Sequence, residues 1–126
     1  MNKRNGELQS IHATIDLYIQ GLQTGNVEIL RKAFHPKAMM YGISSNNSTI
    51  VEIDGLYQFV AANFPPPQSD DPHQCFITNI QCAGNAASVE MVEESAYGND
   101  YTNYFQLLKI EGRWLIVSKA YNAAAH

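Results

Sequence analysis

Positive charge is scarce in this chain. Lys and Arg number 8 against 12 Asp and Glu among 126 residues, for a formal net charge of −4. The basic residues are scattered, so nothing could neutralise a run of phosphates, and no nucleic-acid partner is expected. The same scatter provides no basic patch for a membrane surface. Long apolar runs are also missing, since none approaches the ~18 residues of a membrane span. The segment MNKRNGELQS has no apolar stretch behind Lys3-Arg4, which argues against a signal peptide. Cysteine is limited to Cys75 and Cys82. Both fall in one strand-like segment, where seven residues span roughly 23 Å, beyond the reach of a disulfide. With no CxxC spacing, reduced thiols and a cytoplasmic location are expected.

Familiar catalytic cassettes are lacking as well. There is no Gly-rich phosphate loop, and no Ser or Cys sits in a recognisable elbow. His12, His35, His73 and His126 fall on separate elements without the short spacing of a metal pair, so neither metal nor cofactor is expected. His73 with Asp70 and Asp71 reads as solvated loop charge, and His35 as a partner for a helix C-terminus.

What is present describes one globular domain over 1–126. Hydrophobic residues make up 45% and charged residues 16% of the chain, enough for a core without staples. Leu8, Ile11, Ile15, Tyr18 and Leu22 recur at spacings of three and four and mark a first helix, with His12 and Ile19 read beside them. Gly25 closes it. Asn26 is suited to cap a second helix carrying Val27, Leu30 and Phe34, which His35-Pro36 must end. Strands are expected at about 38–43 and 49–53, then a third helix capped by Asp54 and carrying Leu56, Phe59 and Val60. The prolines of PPPQSDDP, within 65–72, exclude regular structure there. That segment is a lid or a plain connector. From 74 onward the chain alternates strand and turn, ending on a hairpin at Glu111-Gly112. Short turns impose antiparallel pairing. The fold class expected is α+β, with helices packed in the concave face of a strongly curved, mainly antiparallel sheet.

Three stretches carry a family resemblance: IDLYIQGLQTGNVEILRKAFHPKAMMYG at 15–42, YTNYFQLLKIEGRWLIVSK at 101–119, and the helix–strand–strand order between them. The chain resembles the nuclear transport factor 2-like superfamily of cystatin-like cones, and within it the bacterial subfamily described as "putative lumazine-binding". The superfamily contains ketosteroid isomerases, polyketide cyclases, dehydratases and binding proteins, so fold alone selects no function. Ketosteroid isomerase chemistry needs a carboxylate base, a Tyr and a protonated acid. The resemblance places Tyr18 at the tyrosine, Gly42 at the base and Gln106 at the acid. Gly42 accepts no proton and Gln106 does not ionise, so that reaction is disfavoured.

The resemblance also assigns Tyr104, Gln106, Leu108 and Ile110 to the cavity face of their strand. Phe105 and Leu107 then fall on the convex face with Leu115 and Val117, where a second copy would cover them. The implied partners are a small apolar or aromatic molecule and a homodimer mate. Candidate ligand-binding residues are Tyr18, Phe59, Tyr104, Gln106 and Trp114, although Trp114 also reads as plain core. Candidate catalytic groups are His12, Tyr18 and Glu93. His12 and Tyr18 also read as plain core or rim residues. In ASVEMVEES, alternation after Ala87, Val89 and Met91 brings Glu93 inward, unless the strand frays and leaves it solvated. The readings left open are a ligand binder, an enzyme using His12 or Glu93 as base with Tyr18 as donor, and an interaction module with a filled cavity.

Overall fold

A computed structural model describes residues 3–126, with side chains from Asn5 onward. Met1 and Asn2, at the head of the segment read as no signal peptide, lie outside the described residues. Helix α1 spans Lys3–Thr24, α2 Val27–Ala33 and α3 Asp54–Asn63. The strands are β1 Phe34–Ser44, β2 Asn47–Glu52, β3 Gln74–Ala83, β4 Ala86–Ala96, β5 Asn99–Ile110 and β6 Arg113–Ala125. They form one six-stranded sheet in the order β2-β1-β6-β5-β4-β3. Only the β1–β6 pair is parallel. The whole meander is the long crossover that such a pair requires. The helices lie on one face of the curved sheet, so the expected α+β cone is the observed architecture.

Ile11, Ile15, Tyr18 and Leu22 of α1 are buried as their spacing requires. His12 is exposed. It follows Ile11 directly, and adjacent helical residues point about 100° apart, so His12 does not share the core face. Asn26 caps α2 as expected, accepting a hydrogen bond from the Ile29 N–H at 3.1 Å. Asp54 does not cap α3. The residue before the helix is Ile53, with no side-chain cap, and the Asp54 carboxylate accepts from Gln58 Nε2 at 2.7 Å. Gly21 lets α2 close on α1, since a Cβ there would lie 2.6 Å from Leu30 Cγ.

The face assignment of β5 is inverted relative to expectation. Asn103, Phe105 and Leu107 are buried under the helices, while Tyr104, Gln106 and Leu108 are exposed on the other side. The hairpin at Glu111-Gly112 dictates this. It pairs Leu108 with Leu115 and Lys109 with Trp114, so Leu107 shares the face of the buried Trp114 and Ile116. Between Gln106 and Leu107 the register slips, with Gln106 opposite Ser118 but Leu107 opposite Ile116. Val117 is thus an extra residue in β6, and such a bulge reverses which side chains face inward beyond it. Trp114 and Ile116 are inward before it, and Lys119 and Ala123 are buried after it.

Candidate functional site

Rows of side chains across β3 to β6 build the site. One row joins Cys75, Glu93 and Tyr101, and the next joins Met91, Asn103, Tyr121 and Gly42. A third joins Phe105, Lys119 and Met40. Tyr18 of α1 reaches down onto the first of them. Its hydroxyl donates to Glu93 Oε1 at 2.7 Å. Asn103 Nδ2 donates to the same oxygen at 2.7 Å. His73 Nε2 lies 2.9 Å from Glu93 Oε2, the geometry of a ring N–H donating to a carboxylate. Glu93 is 1% exposed, so it points fully inward and is not a frayed, solvated end.

Burial pushes the Glu93 carboxyl toward its neutral form. The His73 hydrogen bond, the Lys119 charge and the Tyr18 hydrogen bond together outweigh it and hold the group below the usual carboxylate range. Glu93 is therefore an ionised carboxylate that accepts three hydrogen bonds. Burial and then the Glu93 charge push the Tyr18 phenol well above its ordinary value, so Tyr18 remains a hydroxyl donor. The Cys75 thiol, 3.4 Å from His73 Nε2, is pushed up to about 12 by burial and by Glu93. It is a thiol and not a nucleophilic thiolate.

Lys119 is the other buried charge, 3% exposed. Burial pulls its ammonium down to about 8, with Glu93 opposing the shift. Its Nζ sits 4.3 Å from the Tyr121 ring centroid, 5.7 Å from Tyr101 and 5.8 Å from Tyr18. The Tyr121 ring lies across Gly42, where an added Cβ would fall 2.0 Å from Tyr121 Cζ. A carboxylate at position 42 is thus excluded by the tyrosine that carries the lysine.

These groups border a cavity of about 280 Å³, at the small end of ligand pockets. Leu22, Met40, Val51, Leu56 and Phe59 form apolar wall, Tyr97, Tyr101 and Tyr121 aromatic wall, and Glu93 and Lys119 the charged part. Tyr18, Phe59 and Glu93 therefore meet at one cavity. The other nominees do not. His12 is on the outer side of α1, and Tyr104 and Gln106 are on the convex sheet face. Trp114 is core, donating through Nε1 to Glu7 Oε2 at 2.9 Å. None of residues 65–72 lines the cavity. That loop is instead tied to the chain end, where the His126 ring contacts Asp71 Oδ2 at 2.6 Å and Asp100 Oδ1 at 2.7 Å.

Lys119, Tyr101, Tyr121, Asn103 and His73 were not singled out from sequence as site residues. Lys119 was hidden by the bulge, because unbroken alternation from Trp114 and Ile116 brings Ser118 inward instead. In the sequence His73 groups with its loop neighbours Asp70 and Asp71, whereas its partner Glu93 lies on β4. His73, Cys75 and Glu93 place one ligand atom each within 4.8 Å of one another, a set of donor types that a divalent cation accepts. The direct His73–Glu93 hydrogen bond is itself a sufficient account of that cluster.

The family described as "Putative lumazine-binding" matches residues 6–122. An aldolase, FrzH of Cladobotryum sp., is 26% identical over 122 residues, covering 94% of this chain and 93% of that protein. A nuclear transport factor 2-like protein of unknown function from Shewanella baltica superposes with a TM-score of 0.88 at 29% identity, covering 100% of both chains. A similar protein of unknown function from Methylobacillus flagellatus superposes with a TM-score of 0.86 at 26% identity, over 95% of this chain and 94% of that one. The chain belongs to the "putative lumazine-binding" family of the nuclear transport factor 2-like superfamily.

Proposed function

We propose that the chain binds a small, flat, aromatic or largely apolar molecule carrying a carbonyl or similar acceptor, in the cavity between α1, α3 and the inner sheet face. The observation that carries this reading is the cavity wall, apolar and aromatic but with one ammonium, Lys119, bordering it. Aromatic walls favour a planar ring, and a cation at the wall favours an electron-rich oxygen or nitrogen on it. The volume of about 280 Å³ suits one or two fused rings.

A second reading, catalysis on such a ligand, is favoured by the ionised Glu93 held against Tyr18 beside Lys119. The aldolase relative adds to it, because aldol chemistry needs a polarised carbonyl and a proton acceptor. His12 has no part in this reading. The test is native mass spectrometry of the protein as purified and after incubation with lumazine. The wild type is expected to retain one ring-sized mass per chain, and Thr49→Phe, which fills the cavity wall, to retain none. Equal retention by both proteins would overturn the cavity reading.

The proposal includes a homodimer through the convex face. Phe76, Tyr104 and Leu108 are exposed there at 47%, 51% and 41%, and a second copy is the cover that suits an apolar sheet face of this kind. Tyr104→Glu with Leu108→Glu is expected to convert a dimer to monomer in the same spectra. A monomeric wild type would refute it.

A further inference from the structure

We propose that Lys119 is an amine nucleophile of the cavity and forms an imine with a carbonyl carbon of the bound molecule; the inference rests on the cavity reading above.

The argument begins with how the fold distributes its donors. Glu93 and Lys119 are the two buried charges among the described residues, and a purely structural lysine would pair with that carboxylate. Instead Glu93 receives Tyr18, Asn103 and His73 at 2.7, 2.7 and 2.9 Å. Among the described residues no hydrogen bond or ion pair reaches Lys119 Nζ, and its contacts are the faces of three tyrosines. Ring faces stabilise a cation but leave the nitrogen lone pair uncommitted once the proton is gone. An amine kept apolar, unpaired and beside an open cavity is the arrangement that activates a lysine toward carbonyls.

The backbone supports the same assignment. The extra residue Val117 in β6 is what turns Lys119 inward, and bulges recur where a side chain is re-aimed at a site. Gly42 is the second device. Its missing side chain makes room for the Tyr121 ring on which Nζ rests. With the ammonium drawn down to about 8 by burial, about a tenth of the side chain is neutral near pH 7.

The step balances as follows. The neutral Nζ attacks the carbonyl carbon, a C–N bond forms, and the carbonyl π pair moves to oxygen. One nitrogen proton passes to that oxygen. A second proton transfer releases water, leaving C=N between ligand and Lys119. No oxidant or further reactant is required. The ionised Glu93 favours the cationic iminium that follows protonation of this nitrogen.

The probe is pentane-2,4-dione, which condenses with an amine to a conjugated enaminone visible in the near ultraviolet and mapped on peptides kept at neutral to mildly alkaline pH, since acid reverses it. Lumazine, whose ring carbonyls are not electrophilic in this sense, serves in parallel as a reporter of cavity binding. The expected result is one adduct per chain, mapped to Lys119, formed at least roughly tenfold faster than at the exposed Lys37 near pH 7. Its rate should rise through pH about 8, and not only above the ~10.4 of an ordinary lysine. Lys119→Arg, which keeps the charge, and Lys119→Met, which keeps the length, should both retain a folded circular dichroism spectrum and lose the adduct. Lumazine retained without selective labelling of Lys119 overturns the inference and leaves the cavity reading standing. Neither probe retained overturns both. Because the labelling rate and map are read in wild type, a variant that fails to fold does not remove the test.

Discussion

Two lysines on neighbouring strands meet opposite fates. At the hairpin end of β5, Lys109 Nζ donates to Glu7 Oε1 at 2.7 Å, and Trp114 Nε1 donates to Glu7 Oε2 at 2.9 Å. That carboxylate ties α1 to the β5–β6 hairpin and neutralises the cation beside it. At the cavity end, the carboxylate Glu93 takes its hydrogen bonds from Tyr18, Asn103 and His73, while Lys119 is left over aromatic rings. The first arrangement is a clasp. The second holds opposite charges close without letting them quench each other, which costs stability and leaves reactive groups facing a cavity. Local sacrifices of this kind mark functional sites.

The contrast breaks most severely at Glu93. Glu93→Ala leaves three inward donors without their acceptor and removes the negative charge that lies near the Lys119 ammonium, and a loss of about 3–5 kcal/mol is expected from chemical denaturation. The pH dependence has a definite sign. The folded-state carboxyl is depressed, so the stabilisation is present above the usual carboxylate value and is lost as pH falls through the lower folded value. Acid titration of Glu93→Gln should lack that component. If wild type and Glu93→Gln lose stability in parallel, the hydrogen bonds to Glu93 are not worth what the geometry implies.

Lys119→Met should move stability the other way. Burial lowers this ammonium to about 8, so its cost to the folded state is complete below that value and is relieved as pH rises from about 8 to the unfolded ~10.4. Removing the charge should raise stability near pH 7 by about 1–3 kcal/mol, and the gain should vanish at high pH. Denaturation curves at both pH values check it. Gly42→Ala comes next, because its Cβ would meet the Tyr121 ring. A loss of about 1–3 kcal/mol, with reduced lumazine retention, is expected in melting and mass-spectrometric measurements. The smallest effect belongs to the clasp. Lys109→Met removes a pair whose side chains are 30% and 22% exposed, and a loss of about 1 kcal/mol or less, shrinking in added salt, is expected.

Much of the architecture was legible because it is written in local periods. Ile11, Ile15, Tyr18 and Leu22 repeat at helical spacing, and Asn26 is a capping residue that caps. On β4, alternation offers an inward Glu93 against a solvated one at a frayed end, and the structure has it inward. The errors arose where a local period was combined with something not local. His12 adjoins the α1 stripe in sequence but does not share its face. The family resemblance puts Gln106 on the cavity face of β5, whereas the Glu111-Gly112 turn implies that Leu107 lies with Ile116. The shift at Val117 was not available, because nothing in WLIVSK distinguishes a bulge from unbroken alternation.

By itself, the sequence determined the order of helices and strands and the α+β cone, and left Glu93 either inward or solvated at a frayed strand end. The physical reason is that amphipathic periods and turn residues act within a few positions of themselves. The tertiary structure alone decided which groups surround that carboxylate. Tyr18, His73, Asn103 and Lys119 come from α1, the loop before β3, β5 and β6, and strand register and one extra residue in β6 bring them around Glu93. Whether a lysine is paired or left alone depends on distances between strands. Those distances are fixed only when the sheet closes over the helices.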